Sequence, residues 1–176
     1  MKVVALLFLV LFINPLCAID LFGLDLASAT QEQLRAAIKK SGARPVNQKA
    51  GEQFYDTYLA DSLLQNAQHL YVGFVKQSRK FAFAEYELNG LKQSDLLQKL
   101  QAKYGQGEAI KGKYITDYRH QWHSGEVVII LYQDWAAYKT RLTYYIQGAL
   151  IALKEERSGS GLAGQQKLSG YLEQAY

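Results

Sequence analysis

Apolar and polar positions along the chain run through one pattern twice: a helical stripe closed by glycine, then a series of β-prone runs. In the first round Leu34, Ala37 and Ile38 make the stripe. Thr30 is placed to cap the helix start, with Gln33 three positions on to close a capping box and Glu32 in the positive first turn. Lys39 and Lys40 fall in the last turn and Gly42 follows as the stop. An extended segment at 44–46, a turn at 49–52, a β-prone run at 53–59, a polar stretch at 61–68 and a strand at 69–75 come next. Residues 77–79 read as a hairpin turn into a strand at 80–88.

Asn89-Gly90 punctuates the middle, and the pattern restarts. Residues 94–105 form the second helix, with Ser94 as cap, Leu97, Leu100 and Tyr104 as stripe and Gly105 as stop. A loop through Gly112, a strand at 113–123, a turn at Ser124-Gly125 and a strand at 126–132 follow. Residues 134–138 connect to a last strand at 140–147 that runs on toward Leu153. The expected fold is α+β: two pseudo-repeated αβββ units, about 19–88 and 91–153, forming an antiparallel sheet with two helices packed on one face and the other face free. The two units make a single domain, 19–157. From Ser158 the glycines and glutamines predict a flexible or weakly helical tail, 158–176.

The N-terminus departs from this pattern. Lys2, an apolar run at 3–13, Pro15 and a small residue at Ala18 read as a cleaved signal peptide, 1–18, which places the mature protein in the periplasm or outside the cell. The run is short for a transmembrane anchor, which needs about 20 apolar residues. Leu16 before Cys17 disfavours lipidation, so no stable membrane insertion is expected after cleavage. Cys17 is the only cysteine and leaves with the signal, so the mature chain must hold together without disulfides. The formal charge of +4 falls by one with Lys2 and is scattered, which argues against nucleic acid and leaves at most a weak attraction to anionic surfaces.

Tyrosine stands out, at 13 residues against 7 phenylalanines. Its apolar body and polar tip suit half-buried strands and contact surfaces. Adjacent aromatics on a strand face opposite sides, so Tyr55, Asp56 and Tyr58, and likewise Tyr144 and Tyr145, are expected to leave aromatic surface exposed. With Tyr118, His120, Trp122 and His123 they form the candidate binding set. His120 and His123 are three apart, a spacing that diverges on a strand, and nothing nearby completes a zinc set, so no metal or cofactor is expected. Glu85 and Glu87 share one strand face, an arrangement read as a solvated pair. No nucleophile elbow accompanies the serines.

The segment Leu21-Phe22-Gly23-Leu24-Asp25-Leu26, with Ala29-Thr30-Gln31-Glu32-Gln33-Leu34-Arg35 and Gly42-Ala43-Arg44-Pro45-Val46, resembles the opening of small exported bacterial proteins of unassigned function. In architecture the tandem pattern is similar to the β-lactamase-inhibitor-like and outer-membrane-assembly-lipoprotein folds, which implies binding of other proteins without catalysis. The chain lacks the lipobox of the one and the disulfides of the other, so neither function carries over. The leading expectation is an exported, non-enzymatic protein presenting a Tyr-rich sheet surface to a protein or envelope partner. A secreted effector or enzyme with a site near Tyr118, His120 and His123, and a small-ligand carrier, are the alternatives.

Overall fold

A computed structural model describes residues 20–48, 55–90, 94–111 and 118–159. The expected signal peptide, the turn expected at 49–52, the loop end at Gly112 with the start of the strand expected at 113–123, and the tail from 160 onward lie outside the described residues. The chain opens with a small hairpin of β1 (Asp20–Leu21) and β2 (Leu24–Asp25). Helix α1 (Gln31–Lys40) carries the expected capping box, Gln33 N–H donating to Thr30 Oγ1 at 3.3 Å and Thr30 N–H to Gln33 Oε1 at 3.0 Å. It ends where Ser41 caps the last turn and Gly42 turns left-handed at φ +97°.

Four strands follow: β3 (Arg44–Asn47), β4 (Tyr55–Leu59), β5 (Ala67–Phe74) and β6 (Phe81–Asn89). Helix α2 (Ser94–Tyr104) opens the second half, and β7 (Glu108–Lys111), β8 (Tyr118–Ser124), β9 (Val127–Asp134) and β10 (Lys139–Ile146) complete it. All eight form one antiparallel sheet in the order β3-β4-β5-β6-β10-β9-β8-β7. Each half is a helix followed by a four-strand meander, and the last strand of each half meets the other at the centre. The expected αβββ units thus carry four strands each: in the first half the short extended segment expected at 44–46 is itself a paired strand, β3. The extra strand of the second half is β7, four residues in a stretch too short and polar to show alternation.

Two further corrections concern the end of the second half. The strand expected to run toward Leu153 stops at Ile146, and α3 (Gln147–Gly159) takes over, including Ser158 and Gly159 of the expected linker. A short apolar run such as Ala149 to Leu153 does not distinguish strand from helix by periodicity, and the buried set Leu150, Leu153 and Arg157 follows helical spacing. The second correction follows from the first. Helices α1 and α2 share one sheet face through Leu34, Ile38 and Leu100, but α3 lies on the other face, which is therefore not free.

Each face has its own core. On the first, Leu70, Val72, Ile129, Leu131 and Tyr86 meet α1 and α2. On the second, Phe83, Val128, Ile130 and Tyr145 meet Leu150 and Leu153, whose full burial contributes about 1.5–3 kcal/mol each. Glu156 of α3 also accepts the backbone N–H groups of Lys76 and Gln77 at 2.7 and 3.1 Å, pinning the β5–β6 turn. With both faces covered, β6 is buried from Phe81 to Leu88. That is why alternation could not pick its core face from the sequence.

Candidate functional site

Beyond the reach of α3, the second face changes from apolar to charged. Antiparallel register sets one row of residues side by side across five strands: His69 on β5, Glu87 on β6, Arg141 on β10, Tyr132 on β9 and Arg119 on β8. Residues directly opposite in such a pairing share a face and touch. Arg141 is the hub. Its Nη1 lies 2.8 Å from Glu85 Oε1, its Nη2 3.2 Å from Glu87 Oε2 and its Nε 3.5 Å from Asp134 Oδ2. Thr143 Oγ1 donates to the second oxygen of Glu85 at 3.1 Å. Glu87 also binds Lys139 Nζ, which donates to Gln68 Oε1 at 2.8 Å, and His69 Nδ1 sits 3.5 Å from the same carboxylate. The Arg119 guanidinium stacks over the Tyr132 ring at 5.2 Å.

This packing sets the protonation states. Burial would raise the Glu87 carboxyl, but the Lys139 hydrogen bond and the charges of Arg141 and Lys139 outweigh it and hold it below its ordinary value. Burial works against the Arg141 cation in the same way, and the charges of Glu85 and Glu87 overcome it, so its pKa rises. Tyr71, opposite Glu85, is pushed up to about 12 by burial first and the Glu87 charge second. Tyr55 packs edge-on against Tyr71 and Phe83, at 5.6 and 6.2 Å between ring centroids. Gly73 makes room for that cluster: a Cβ there would collide with the Phe83 ring.

The β9–β10 turn lies beside this row, linked to it by the Arg141–Asp134 contact. Trp135, Ala136, Ala137 and Tyr138 are all exposed, Trp135 at 49% and Tyr138 at 68%. The turn is held from within: Ala137 N–H donates to Asp134 Oδ1 at 3.0 Å, and Tyr138 N–H to the Trp135 carbonyl at 3.4 Å. Tyr138 adopts φ +53°, an unfavourable region for a residue with a side chain. At the opposite end of the sheet, a cleft of about 560 Å³ opens between the start of α3 and the β5–β6 and β8–β9 turns. Its floor is Val75, Phe81, Val128 and Ile146, and Lys80 and His123 stand at its rim.

The residues singled out in the sequence do not gather in one place. Asp56 is buried on the first face, where Arg35 of α1 grips it with Nε and Nη2 both at 2.7 Å. Tyr58 is fully buried beside it, its hydroxyl donating to Asp56 at 3.2 Å and accepting from Gln48 at 2.8 Å. Burial, then the Asp56 charge, push the Tyr58 phenol well up. This is a clasp between helix and sheet, and only Tyr55 of that trio reaches the second face. Tyr144 and Tyr145 are both buried, contrary to the expectation that one of them would be exposed, because helices cover both faces of β10.

On β8, Tyr118 begins the strand, and its side chain lies outside the described residues. His120 is half-buried beside Trp122, ring centroids 6.2 Å apart, and burial lowers its pKa. Trp122 is buried and donates Nε1–H to the Gly105 carbonyl at 2.9 Å. His123 is exposed on the opposite face, next to Gln121. Strand alternation therefore keeps the two histidines apart. Among the described residues, no group of three or more His, Cys, Asp or Glu side chains is placed to hold a metal ion.

Sequence reasoning missed Arg141, Trp135 and Tyr138. Glu85 and Glu87 were recognised as sharing a face but read as solvated, whereas both are buried. The available signal was the Trp-Ala-Ala-Tyr stretch itself, which places two aromatics inside a connection.

No family model matches the sequence, and no curated protein matches it. Among solved structures the chain is similar to the crystal structure of a DUF4309 family protein, YjgB, from Bacillus subtilis. The identity is 13% and the TM-score 0.43, over 70% of this chain and 82% of that one. A likeness of this degree carries nothing about family, export or activity.

Proposed function

We propose that this is an exported, non-enzymatic binding protein that engages a protein or envelope partner through the β9–β10 tip, which the buried charged row behind it helps to hold through Asp134 and Arg141. The observation that carries the reading is the pair Trp135 and Tyr138, exposed on a turn whose hydrogen bonds hold it in shape. Tryptophan, tyrosine and arginine dominate contact energies at interfaces, and a rigid turn loses little entropy on binding. The leader-like segment 1–18 supports the export part of the proposal. Affinity capture of the tagged protein from cell envelope and culture medium tests it, with W135A/Y138A as the comparison. The expected outcome is a reproducible partner lost with the double substitution; an unchanged captured set refutes the assignment of the tip.

A second reading, a small-ligand carrier, is favoured by the cleft at the opposite end, whose volume and apolar floor suit a small molecule. Native mass spectrometry should then find a ligand that is displaced in V128W. The reading of an enzyme near Tyr118, His120 and His123 gains no support, because His120 and His123 lie on opposite faces of β8.

A further inference from the structure

We infer that the β9–β10 tip seats in the headgroup region of a lipid bilayer, with Trp135 and Tyr138 as its anchors. The inference rests on the proposed binding role of the tip and names its partner. Four consecutive exposed residues, Trp135 to Tyr138, carry no charge. Tryptophan and tyrosine, with apolar rings and polar tips, are the side chains that favour the membrane–water interface. The two intervening alanines keep the tip slim.

The backbone is prepared for a drier setting. Ala137 and Tyr138 donate their N–H groups to Asp134 and to the Trp135 carbonyl, so entry into the interface does not strip these donors of their partners. Asp134 is itself held by Arg141, and Lys139 by Glu87 and Gln68, so the charges at the base of the tip are already paired. Among the described residues, the carboxylate next to the tip, Asp134, is therefore not left unpaired toward anionic headgroups. The formal charge of +4, less the one carried by Lys2, is scattered over the chain and adds only a weak attraction of the sign that such headgroups favour.

Size argues in the same direction. A stable protein interface takes about 800 Å² and roughly 20–30 residues from each side. A tip of four residues falls far short of that, yet shallow, reversible seating in a bilayer needs only a small buried apolar area.

The chain has two tryptophans, and Trp122 is 4% exposed, so Trp135 reports the environment of the tip. The protein isolated from cells expressing the full chain is mixed with vesicles of phosphatidylcholine containing a minority of phosphatidylglycerol, with and without brominated acyl chains. The expected result is a blue shift of Trp135 emission with quenching by bromine. W135A/Y138A should lower vesicle partitioning about tenfold at unchanged thermal stability, since both side chains are exposed. Binding that survives W135A/Y138A, or that occurs without a shift or quenching in Trp135, overturns the inference. If vesicles leave Trp135 unmoved while capture of a protein still depends on Trp135 and Tyr138, the lipid inference falls and the proposed binding role stands. If neither vesicles nor captured protein depend on the tip, both fall.

Discussion

Replacing Arg141 with methionine keeps most of the side-chain length and removes the cation at the centre of the second face. The ion pairs it makes are not surface pairs: the Glu85, Glu87, Arg141 and Asp134 side chains are 3%, 10%, 13% and 21% exposed. Removing one partner of a buried pair leaves the other charge uncompensated, at about 3–5 kcal/mol. Glu87 keeps Lys139 and Glu85 keeps the Thr143 hydroxyl, but both buried carboxylates lose the Arg141 charge. The expected loss is therefore about 3–5 kcal/mol, which lowers the melting temperature by roughly 6–20 °C in a chain of this size.

The pH dependence gives the sharper test. In the wild type the folded Glu87 pKa is depressed, so its contribution is present above the ordinary value of 4.5 and is lost as pH falls through the lower folded value. In R141M Glu87 loses one of the two cations that hold its carboxyl down, so its pKa rises toward the ordinary value and less of its stabilisation remains to be lost on protonation. The deficit of R141M should then shrink from pH 7 toward about pH 4. Guanidinium unfolding across that range measures it, and E85Q/R141M should lose less than the sum of its single substitutions. A deficit below about 1 kcal/mol, or one that ignores pH, means the row behaves as solvated surface charge and refutes this reasoning.

Three further outcomes follow from the geometry. Arg35→Ala should cost about 3 kcal/mol in urea unfolding, because it leaves the nearly buried Asp56 carboxylate without its bidentate partner, and Arg35→Lys should recover only part of that. Gly73→Ala should cost about 1–3 kcal/mol by forcing the Phe83 ring aside, with the loss reduced in G73A/F83L. Spectrophotometric titration should show tyrosines ionising in two phases: Tyr71 is raised to about 12 by burial, and burial raises Tyr86 and Tyr144 as well. The neutral phenols favour the fold below about pH 10 and that advantage is lost above it, so the second phase should coincide with unfolding; a single phase near pH 10 would show these rings to be solvated.

What could be read from the sequence was what neighbouring residues decide among themselves. The capping box needs only Thr30 and Gln33, and both of its bonds are present. The stripes of α1 and α2, the restart after Gly90 and the α+β class are local patterns of the same kind. The strand signals at β5, β6 and β9 were strong because both faces of those strands are buried, and for the same reason they said nothing about which face meets which helix. Helix α3 was lost because a run of five apolar residues satisfies either period until it has a surface to pack on.

The charged row could not be read this way, because its members are brought together by register and not by spacing. Glu85 and Arg141 are 56 residues apart, and they meet only because the last strands of the two halves, β6 and β10, pair at the centre of the sheet. Nothing near Arg141 in the chain distinguishes it from a solvated arginine on an alternating strand. The tyrosines erred in the opposite direction. Tyr144 and Tyr145 look like surplus aromatic surface until α3 covers one face of β10 and α2 the other. Among the described residues, the exposed aromatics are the two on the β9–β10 turn, Trp135 and Tyr138. Exposure in this fold is thus decided by where the helices end. Alternation along β10 places Arg141 and Tyr145 on one face, and the reach of α3 makes the first the hub of an ion network and the second part of a core.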